Sequence, residues 1–374
     1  MKRILIGVTA WLLAFCCVSG ALAERKVIRP DMDLQVTKEV IETLAKNNPE
    51  VEGENPLTGL PDLGEPFTPM TLVLDNSPEV YPHWGVAAAD WIFQVPQRRD
   101  GGTRLVAVYS NEYPEQAGGV RSARMTTLPV ATLFQAAPVY AGFPPVVEYN
   151  IRVANWLDEW DFNKPIRYVD LLSKPYRERV DFVKEPQNLS AHLKEIHEYL
   201  AGRKNVKFQK RPFLFADEPF QGGDKATKIY LHFLSRVDVE EEIEEPEKED
   251  IPGAEESTVS ACTFTYSEDT GYTRTSKAGE FADRFTGEPV TFQNLVILRS
   301  KLVWDGNYAY YNDHLRYSGQ AEYFMNGRHF TGSWYRAGRL ARLVLLNENG
   351  QEVALQRGKT WAVIYDDCLK VIYE

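Results

Sequence analysis

The chain of 374 residues has few of the residues and motifs that mark the common enzyme classes. It contains four cysteines and six histidines, and it lacks a Gly-x-Ser-x-Gly elbow, a His-Glu-x-x-His pair and a P-loop. His192 and His197 lie five residues apart, which is off the one-face spacing of a helical zinc pair. His83 lies in a proline-rich turn, where solvent exposure is more common than catalysis. We therefore predict no metal and no cofactor, and we assign no catalytic residue.

The N-terminus has the pattern of an export signal. An apolar run, Ile4–Val18, follows two basic residues and precedes a small-residue cleavage site that ends at Ala23. The run is too short to span a bilayer comfortably, so we predict a signal peptide over residues 1–23 and no transmembrane span after cleavage. Cys16 and Cys17 lack a good lipid-attachment context, although lipidation is left open. The predicted location is extracellular or at the cell envelope.

Cleavage after the signal leaves two cysteines, Cys262 and Cys368. The oxidising environment outside the cytoplasm permits a disulfide bond between them. The alternative is that both are small buried apolar residues on separate strands. The sequence alone does not separate these two interpretations.

Negative charge is concentrated in one segment of the chain. The net charge is −11, and Asp238–Glu256 holds eleven acidic residues against one basic residue, Lys248. We predict a solvated loop there rather than a calcium site, because the carboxylates lack the alternating spacing and the fixed glycine of a built site. The chain has no basic stripe, so we predict no nucleic-acid partner.

Hydrophobic patterning predicts an α+β fold, with a mixed α/β N-terminal domain followed by a β-rich C-terminal domain. A polar tether over residues 24–52, with a helical stretch near Val36–Ala45, leads into the N-terminal domain at residues 53–216. Apolar residues recur at helical spacing in three stretches of this domain. The predicted helices are Met125–Ala136, Val153–Trp160 and Leu189–Arg203.

Short alternating runs replace the helical period in the C-terminal domain, residues 225–374. Asn326-Gly327 and Asn349-Gly350 are strong hairpin signals. We expect two independently compact units that join near Ala216–Lys225, with the acidic segment as a loop in the second. The predicted strands include Lys228–Phe233, Cys262–Tyr266, Val290–Leu298, Ala321–Met325, Arg328–Tyr335, Arg342–Asn347 and Thr360–Tyr365.

Four sparse polar motifs fall at the ends of apolar, strand-like runs between Thr71 and Arg124. Strand ends are where α/β sheets place the groups that bind ligands. The motifs are Asp75-Asn76 after Leu72-Val73-Leu74, Ala89-Asp90 before Trp91-Ile92-Phe93, Gly101-Gly102-Thr103-Arg104 before Leu105-Val106-Ala107-Val108-Tyr109, and Val120-Arg121-Ser122-Ala123-Arg124.

The polar residues of these motifs support two interpretations. In the first, Arg121, Arg124, Ser122 and the N-terminus of a following helix hold an anion. In the second, the arginines pair with Asp75 and Asp90 in a buried structural network. Both interpretations expect the residues to converge at one edge of the sheet. The candidate ligand-binding residues are Asp75, Asn76, Asp90, Arg104, Arg121, Ser122 and Arg124.

The order and spacing of the motifs resemble the YerB-like family of secreted bacterial proteins. The N-terminal domain of that family reads D-N-x-P, A-D-I-x-x-E, G-G-x-T-R and G-x-V-R-S-x-R, and Asn55-Pro56-Leu57-Thr58-Gly59 resembles its opening N-P-L-T-G. Gly332-Ser333-Trp334 and Gly358-Lys359-Thr360-Trp361 resemble its C-terminal domain. The resemblance covers nearly the whole mature chain, and it implies no particular reaction.

Three departures from the family pattern remove titratable groups. Gln94 stands where the family usually has glutamate, Gln187 replaces the histidine of a P-H-N-L string, and Val139–Phe143 lacks a histidine that relatives carry. Binding survives such changes more readily than proton transfer, so we favour a binding or accessory protein whose ligand or partner is a cell-wall or envelope component. The alternative is a hydrolase or transferase acting on a cell-wall polymer, with Asp75 and Asp90 as acid/base groups or cation ligands.

Overall fold

The computed structural model describes residues 25–34, 36, 44, 46–143, 167–236, 260–305, 308–311, 315, 317–338 and 341–374. The predicted signal peptide, the predicted helix Val153–Trp160, the acidic segment and most of the stretch Val36–Ala45 lie outside these residues. Strands dominate the described residues, which also contain two short α-helices. Helix α1 is Leu128–Leu133 and helix α2 is Leu193–Ala201.

The largest sheet takes strands from both predicted domains. In spatial order it contains β11 (Asp224–Lys225), β20 (Arg328–Arg336), β19 (Tyr317–Met325), β16 (Asn294–Arg299), β23 (Thr360–Tyr365), β3 (Trp91–Pro96), β4 (Thr103–Tyr109), β2 (Met70–Leu74), β6 (Ala137–Tyr140) and β7 (Val169–Asp170), and β21 (Val344–Asn347) also pairs with β20. Strands β3 and β23 pair in parallel, so one sheet runs through both predicted domains. The independent compactness of the two units stays a prediction.

Four smaller sheets complete the described part of the fold. The six-stranded sheet contains β1 (Lys26–Ile28), β24 (Leu369–Tyr373), β12 (Lys228–Phe233), β13 (Cys262–Ser267), β14 (Gly271–Ser276) and β15 (Gly279–Glu280). The three-stranded sheet contains β5 (Ala117–Gly118), β9 (Leu189–Ala191) and β8 (Arg177–Arg179). The two-stranded sheets pair β10 (Leu214–Ala216) with β22 (Ala354–Gln356), and β17 (Leu302–Asp305) with β18 (Tyr308–Tyr311).

The central strands of the large sheet are buried on both faces, which explains why their sequences are continuous apolar runs. Alternate residues enter two different cores, so Ile92 faces one core and Trp91 the other. The six-stranded sheet and α2 pack on the first core through residues such as Leu231 and Leu193. Helix α1 packs on the second core through Val130.

The predicted balance of helix and strand in the N-terminal domain is wrong, because the fold is rich in strands throughout. The predicted helix Leu189–Arg203 begins as β9, and only α2 is helical. The predicted helix Met125–Ala136 shortens to α1, which has Pro129 in its first turn and Gln135 at a positive φ beyond its end. A short apolar run fits either a buried strand or a buried helix, and pairing of β9 with β5 and β8 favours the strand.

The strand predictions for the C-terminal half are confirmed. β12 and β23 have the predicted bounds, and the other five predicted strands overlap β13, β16, β19, β20 and β21. Asn326 and Gly327 have φ of 51° and 66° in the turn between β19 and β20, as a type I′ hairpin requires. In the part of the chain that the structure describes, no helix combines the length and the apolar character needed to cross a membrane.

Candidate functional site

Asp75 ends β2 in a tight turn and also faces an arginine. Its Oδ1 accepts hydrogen bonds from the backbone N–H groups of Asn76 at 2.9 Å and Ser77 at 3.2 Å. Its Oδ2 lies 3.1 Å from Nε of Arg121. One carboxylate therefore shapes the turn and holds a guanidinium at the same time.

Arg121 is held in place but remains partly open to solvent. Its backbone N–H donates to the carbonyl of Val73, and Val120 forms a β-bridge with Leu74, which brings it beside the end of β2. The side chain is 27% exposed. Besides the ion pair with Asp75, Nη1 makes a long contact of 3.5 Å to the carbonyl of Pro186. Among the described residues, the other terminal nitrogen, Nη2, has no hydrogen-bond acceptor.

Three more candidate residues lie beside Arg121, and we name Asp75, Arg104, Arg121, Ser122 and Arg124 together the Arg121 cluster. Buried Arg104 donates from Nη1 to the carbonyl of Ser122 at 2.8 Å. Ser122 and Arg124 are half-buried, and Arg124 donates from Nη1 to its neighbour's carbonyl at 2.9 Å. The structure therefore brings three guanidinium groups and one carboxylate of the candidate set to one edge of the sheet.

The predicted contribution of a helix N-terminus to this cluster is not supported. Helix α1 starts at Leu128, and the backbone N–H groups of Thr127 and Leu128 both donate to the carbonyl of Arg124. These two donors are used within the turn, and the helix has only six residues.

Asn76 belongs to a buried network rather than to the Arg121 cluster. Its Nδ2 donates to Oγ1 of Thr103 at 2.8 Å, and its Oδ1 accepts from the hydroxyl of Tyr81 at 2.6 Å. Thr103 Oγ1 also accepts from Gln94, which in turn donates to the carbonyl of Ser260. Asn76 and Gln94 therefore link the predicted N-terminal domain to the predicted C-terminal domain.

The sequence reasoning missed Arg274, which is the cation of this network. Arg274 is fully buried, donates to the Tyr81 hydroxyl at 2.9 Å and stacks 4.8 Å from the ring centre of Trp361. The alternation of side chains along β14 could have indicated that Arg274 is buried, because it puts Arg274 on the same face as the buried Tyr272.

Asp90 and Asp75 lie at opposite ends of the central strands of the sheet. The expectation that the two carboxylates converge is therefore wrong. Both β2 and β3 run antiparallel to β4, and Asp75 follows its strand whereas Asp90 precedes its own. The register separates the two residues by about 17 Å along the strands. This distance exceeds the separation of about 5–9.5 Å between the paired catalytic carboxylates of glycosidases.

The environment of Asp90 is closed. Its Oδ2 accepts hydrogen bonds from the backbone N–H of Ser110 at 2.6 Å and from the Ser110 hydroxyl at 2.7 Å. Burial raises the pKa of Asp90 to about 6. His83 is likewise buried rather than exposed as predicted; its Nε2 lies 2.7 Å from the carbonyl of Asp75, and burial lowers its pKa to about 4.

Cys262 and Cys368 are both free and buried, so the disulfide alternative does not hold in this structure. They lie on or beside β13 and β24, which flank β12, and two strand spacings of about 10 Å exceed the reach of a disulfide. Cys368, Asp366 and Asp367 lie close enough together to suggest a metal site. The cation there is Arg236, whose Nη1 is 3.0 Å from Asp367 and 3.4 Å from the Cys368 thiol.

Two family models match the chain in order. The model described as "Protein of unknown function (DUF3048) N-terminal domain" matches residues 57–207, and the model of the corresponding C-terminal domain matches residues 254–362. The chain belongs to this family. The resemblance to YerB-like proteins is thereby confirmed, and the family description names no activity.

Comparison with individual proteins agrees with this assignment. A Bacillus subtilis (strain 168) protein named "Putative lipoprotein YerB" is 23% identical over 308 residues, which cover 80% of this chain and 81% of that protein. The crystal structure of the YerB protein from Bacillus subtilis matches with a TM-score of 0.65 at 22% identity, and the match covers 85% of this chain and 99% of that chain. This structural likeness establishes a shared fold.

Proposed function

We propose that the protein is an exported binding or accessory protein of the cell envelope, and that the Arg121 cluster holds an anionic ligand. The signal-like pattern at residues 1–23 supports export. Similarity to a protein named as a lipoprotein supports a place at the envelope. A carboxylate of a peptide or of a cell-wall fragment has the chemistry that a guanidinium group recognises.

The observation that carries this proposal is the partial exposure of a fixed arginine. The ion pair with Asp75 holds the guanidinium group of Arg121 beside the end of β2, while 27% of the side chain stays exposed. A fixed, partly open guanidinium loses little side-chain entropy when it binds an anion. Ser122 and Arg124 are half-buried beside it and extend the polar surface.

The geometry does not support the alternative of a hydrolase or transferase that uses Asp75 and Asp90 as a pair. The two carboxylates lie at opposite ends of β2 and β3, which are separated by β4, and Asp90 is only 4% exposed. A shared proton or a bridging cation requires both groups at one site.

Replacement of Arg121 by alanine tests the proposal. We expect Arg121→Ala to abolish the stabilisation that inorganic phosphate or N-acetylalanine gives to the wild-type protein in thermal melts. We expect the unliganded variant to lose at most about 1 kcal/mol, because the ion pair is partly exposed. The matched control is Arg25→Ala, which removes the Arg25–Glu374 ion pair of 3.3 Å beside β1 and should leave anion binding unchanged.

The same measurement separates the competing structural role. If Arg121 only completes a buried network, the variant should lose about 3–5 kcal/mol of stability. A normal melt with unchanged anion binding, or a wild-type protein that neither anion stabilises, would refute the binding proposal.

A further inference from the structure

A second candidate site lies in the C-terminal half, away from the Arg121 cluster. We name it the C-terminal pocket: a cavity of about 780 Å³ between β20, β21, β22 and the segment that leads into β11. Its size is that of a site for a ligand of several hundred daltons. None of the residues that line it belongs to the candidate set drawn from the sequence.

The floor of the C-terminal pocket is aromatic. Phe220 and Phe330 face each other with ring centres 4.6 Å apart, and Tyr373 and Met325 also line the cavity. Phe330 also stacks on Tyr323, with ring centres 4.8 Å apart. Phe220 and Phe330 are only partly buried, so part of each ring remains available to an apolar group. The floor therefore suits an aromatic or aliphatic side chain.

The rim of the C-terminal pocket is acidic. Glu218, Asp224 and Glu348 line it, and none of its described lining residues is a lysine or an arginine. Asp224 is already paired with Lys26 at 2.8 Å and accepts from the Tyr373 hydroxyl at 3.1 Å. Glu218 and Glu348 are exposed, and Glu348 accepts a hydrogen bond from the Thr331 hydroxyl. The charge of the rim therefore favours a cation.

His329 provides an independent sign of a ligand. It lines the pocket, is 6% exposed, and its Nε2 has no hydrogen-bond partner among the described residues. Native proteins rarely leave a buried ring nitrogen without a partner. Burial lowers the pKa of His329 to about 4, so the ring is neutral near pH 7 and adds no positive charge to the acidic rim.

The pocket also reaches a stretch of the β20 edge that pairs with no other strand among the described residues. β11 pairs with Arg328 and His329 of β20, and β21 pairs with Gly332–Tyr335. Phe330 and Thr331 lie between these two pairings, and both line the pocket. Peptides commonly bind beside such uncovered edges, where main-chain groups are within reach.

We propose that the C-terminal pocket binds a short peptide segment with basic side chains, which meet Glu218 and Glu348, and with aromatic or aliphatic side chains, which pack on Phe220 and Phe330. The acid rim excludes an acidic peptide by charge repulsion. This site is separate from the anion site and does not depend on it.

Calorimetric titration of the full chain with three capped tetrapeptides tests the proposal. The probes are acetylated and amidated Phe-Lys-Phe-Lys, Phe-Gln-Phe-Gln and Phe-Glu-Phe-Glu. We expect the lysine peptide to bind most tightly, its affinity to fall with added salt, and the glutamate peptide not to bind. Equal binding of the lysine and glutamate peptides, or no binding of the lysine peptide at millimolar concentration, would overturn the proposal.

Variants locate the binding to the pocket. The double variant Glu218→Gln, Glu348→Gln changes only exposed side chains and should weaken binding of the lysine peptide about tenfold. Phe220→Ala should weaken it by a similar factor through lost packing. Glu268→Gln removes an exposed carboxylate from the turn after β13 and is the matched control, which should change affinity less than about twofold. If the control weakens binding as much as the double variant, the peptide binds elsewhere and the proposal fails.

Discussion

Two ion pairs of this protein, Arg299–Glu322 and Arg121–Asp75, differ in how many nitrogens of the guanidinium group have a partner within the protein. Arg299 and Glu322 are both fully buried, and the carboxylate oxygens accept from Nε at 3.0 Å and Nη2 at 3.3 Å. The remaining nitrogen, Nη1, donates to the carbonyls of Asp366 and Leu369. Arg121 has one ion pair, one long contact and a partly exposed side chain.

The difference separates a structural ion pair from a candidate binding group. At Arg299 every nitrogen of the guanidinium group has a partner inside the protein, so its role is to join β16 to β19 and to the start of β24. At Arg121 the ion pair orients the group and leaves donor capacity for a ligand. Both pairs contain the same chemical groups, and burial distinguishes their roles.

The largest loss of stability should follow from removal of the carboxylate of the buried Arg299–Glu322 pair. We expect Glu322→Ala to lower the free energy of unfolding by about 3–5 kcal/mol, because it leaves the Arg299 charge buried and without its carboxylate. Urea denaturation of the two proteins measures the change, and Glu268→Ala, at an exposed site, should cost less than about 0.5 kcal/mol. A loss below about 1 kcal/mol for Glu322→Ala would place Arg299 and Arg121 in the same class.

Titration of Asp90 should give an intermediate change in the free energy of unfolding, and this change should depend on pH. Burial raises its pKa from 3.8 to about 6, so the folded protein binds this proton more tightly than the unfolded chain does. Its contribution to stability is therefore fully present below about pH 4 and is lost as the pH rises through about 6. The loss amounts to about 3 kcal/mol.

Comparison of the wild-type protein with Asp90→Asn isolates this contribution, because the amide does not ionise. We expect the stability of the variant relative to wild type to increase by about 3 kcal/mol between pH 4 and pH 7. Asp366, His83 and His329 also have shifted pKa values, but both proteins contain them and their effects cancel. A difference that does not change with pH would show that Asp90 is not buried as described.

Most of the described strands of five or more residues could be predicted from the sequence, because β-branched and aromatic runs between turn signals have few alternatives. β12 and β23 illustrate this. Leu189–Ala191 could not, since its three buried residues fit a strand or a helix until β5 and β8 supply hydrogen-bond partners. The N-terminal domain therefore has more strand than its pattern indicated.

The candidate site was only partly predictable for a related reason. The sequence shows which residues end strands, but it does not show which strands run in the same direction. Asp75 and Arg121 meet because Val120 forms a bridge with Leu74. Asp90 lies at the far edge because β3 runs in the same direction as β2. Long-range pairing, which local patterns do not encode, decides between these outcomes.

The most direct test of the account is to observe the arginine Nε–Hε groups by NMR while inorganic phosphate is added to the ¹⁵N-labelled protein. The Arg121 signal is assigned by its loss in Arg121→Ala, and the buried Arg299 signal is the internal reference. We predict that the Arg121 signal shifts and saturates with phosphate, while the Arg299 signal stays in place. An Arg121 signal that moves no more than that of Arg299 would contradict the proposal that Arg121 binds the ligand.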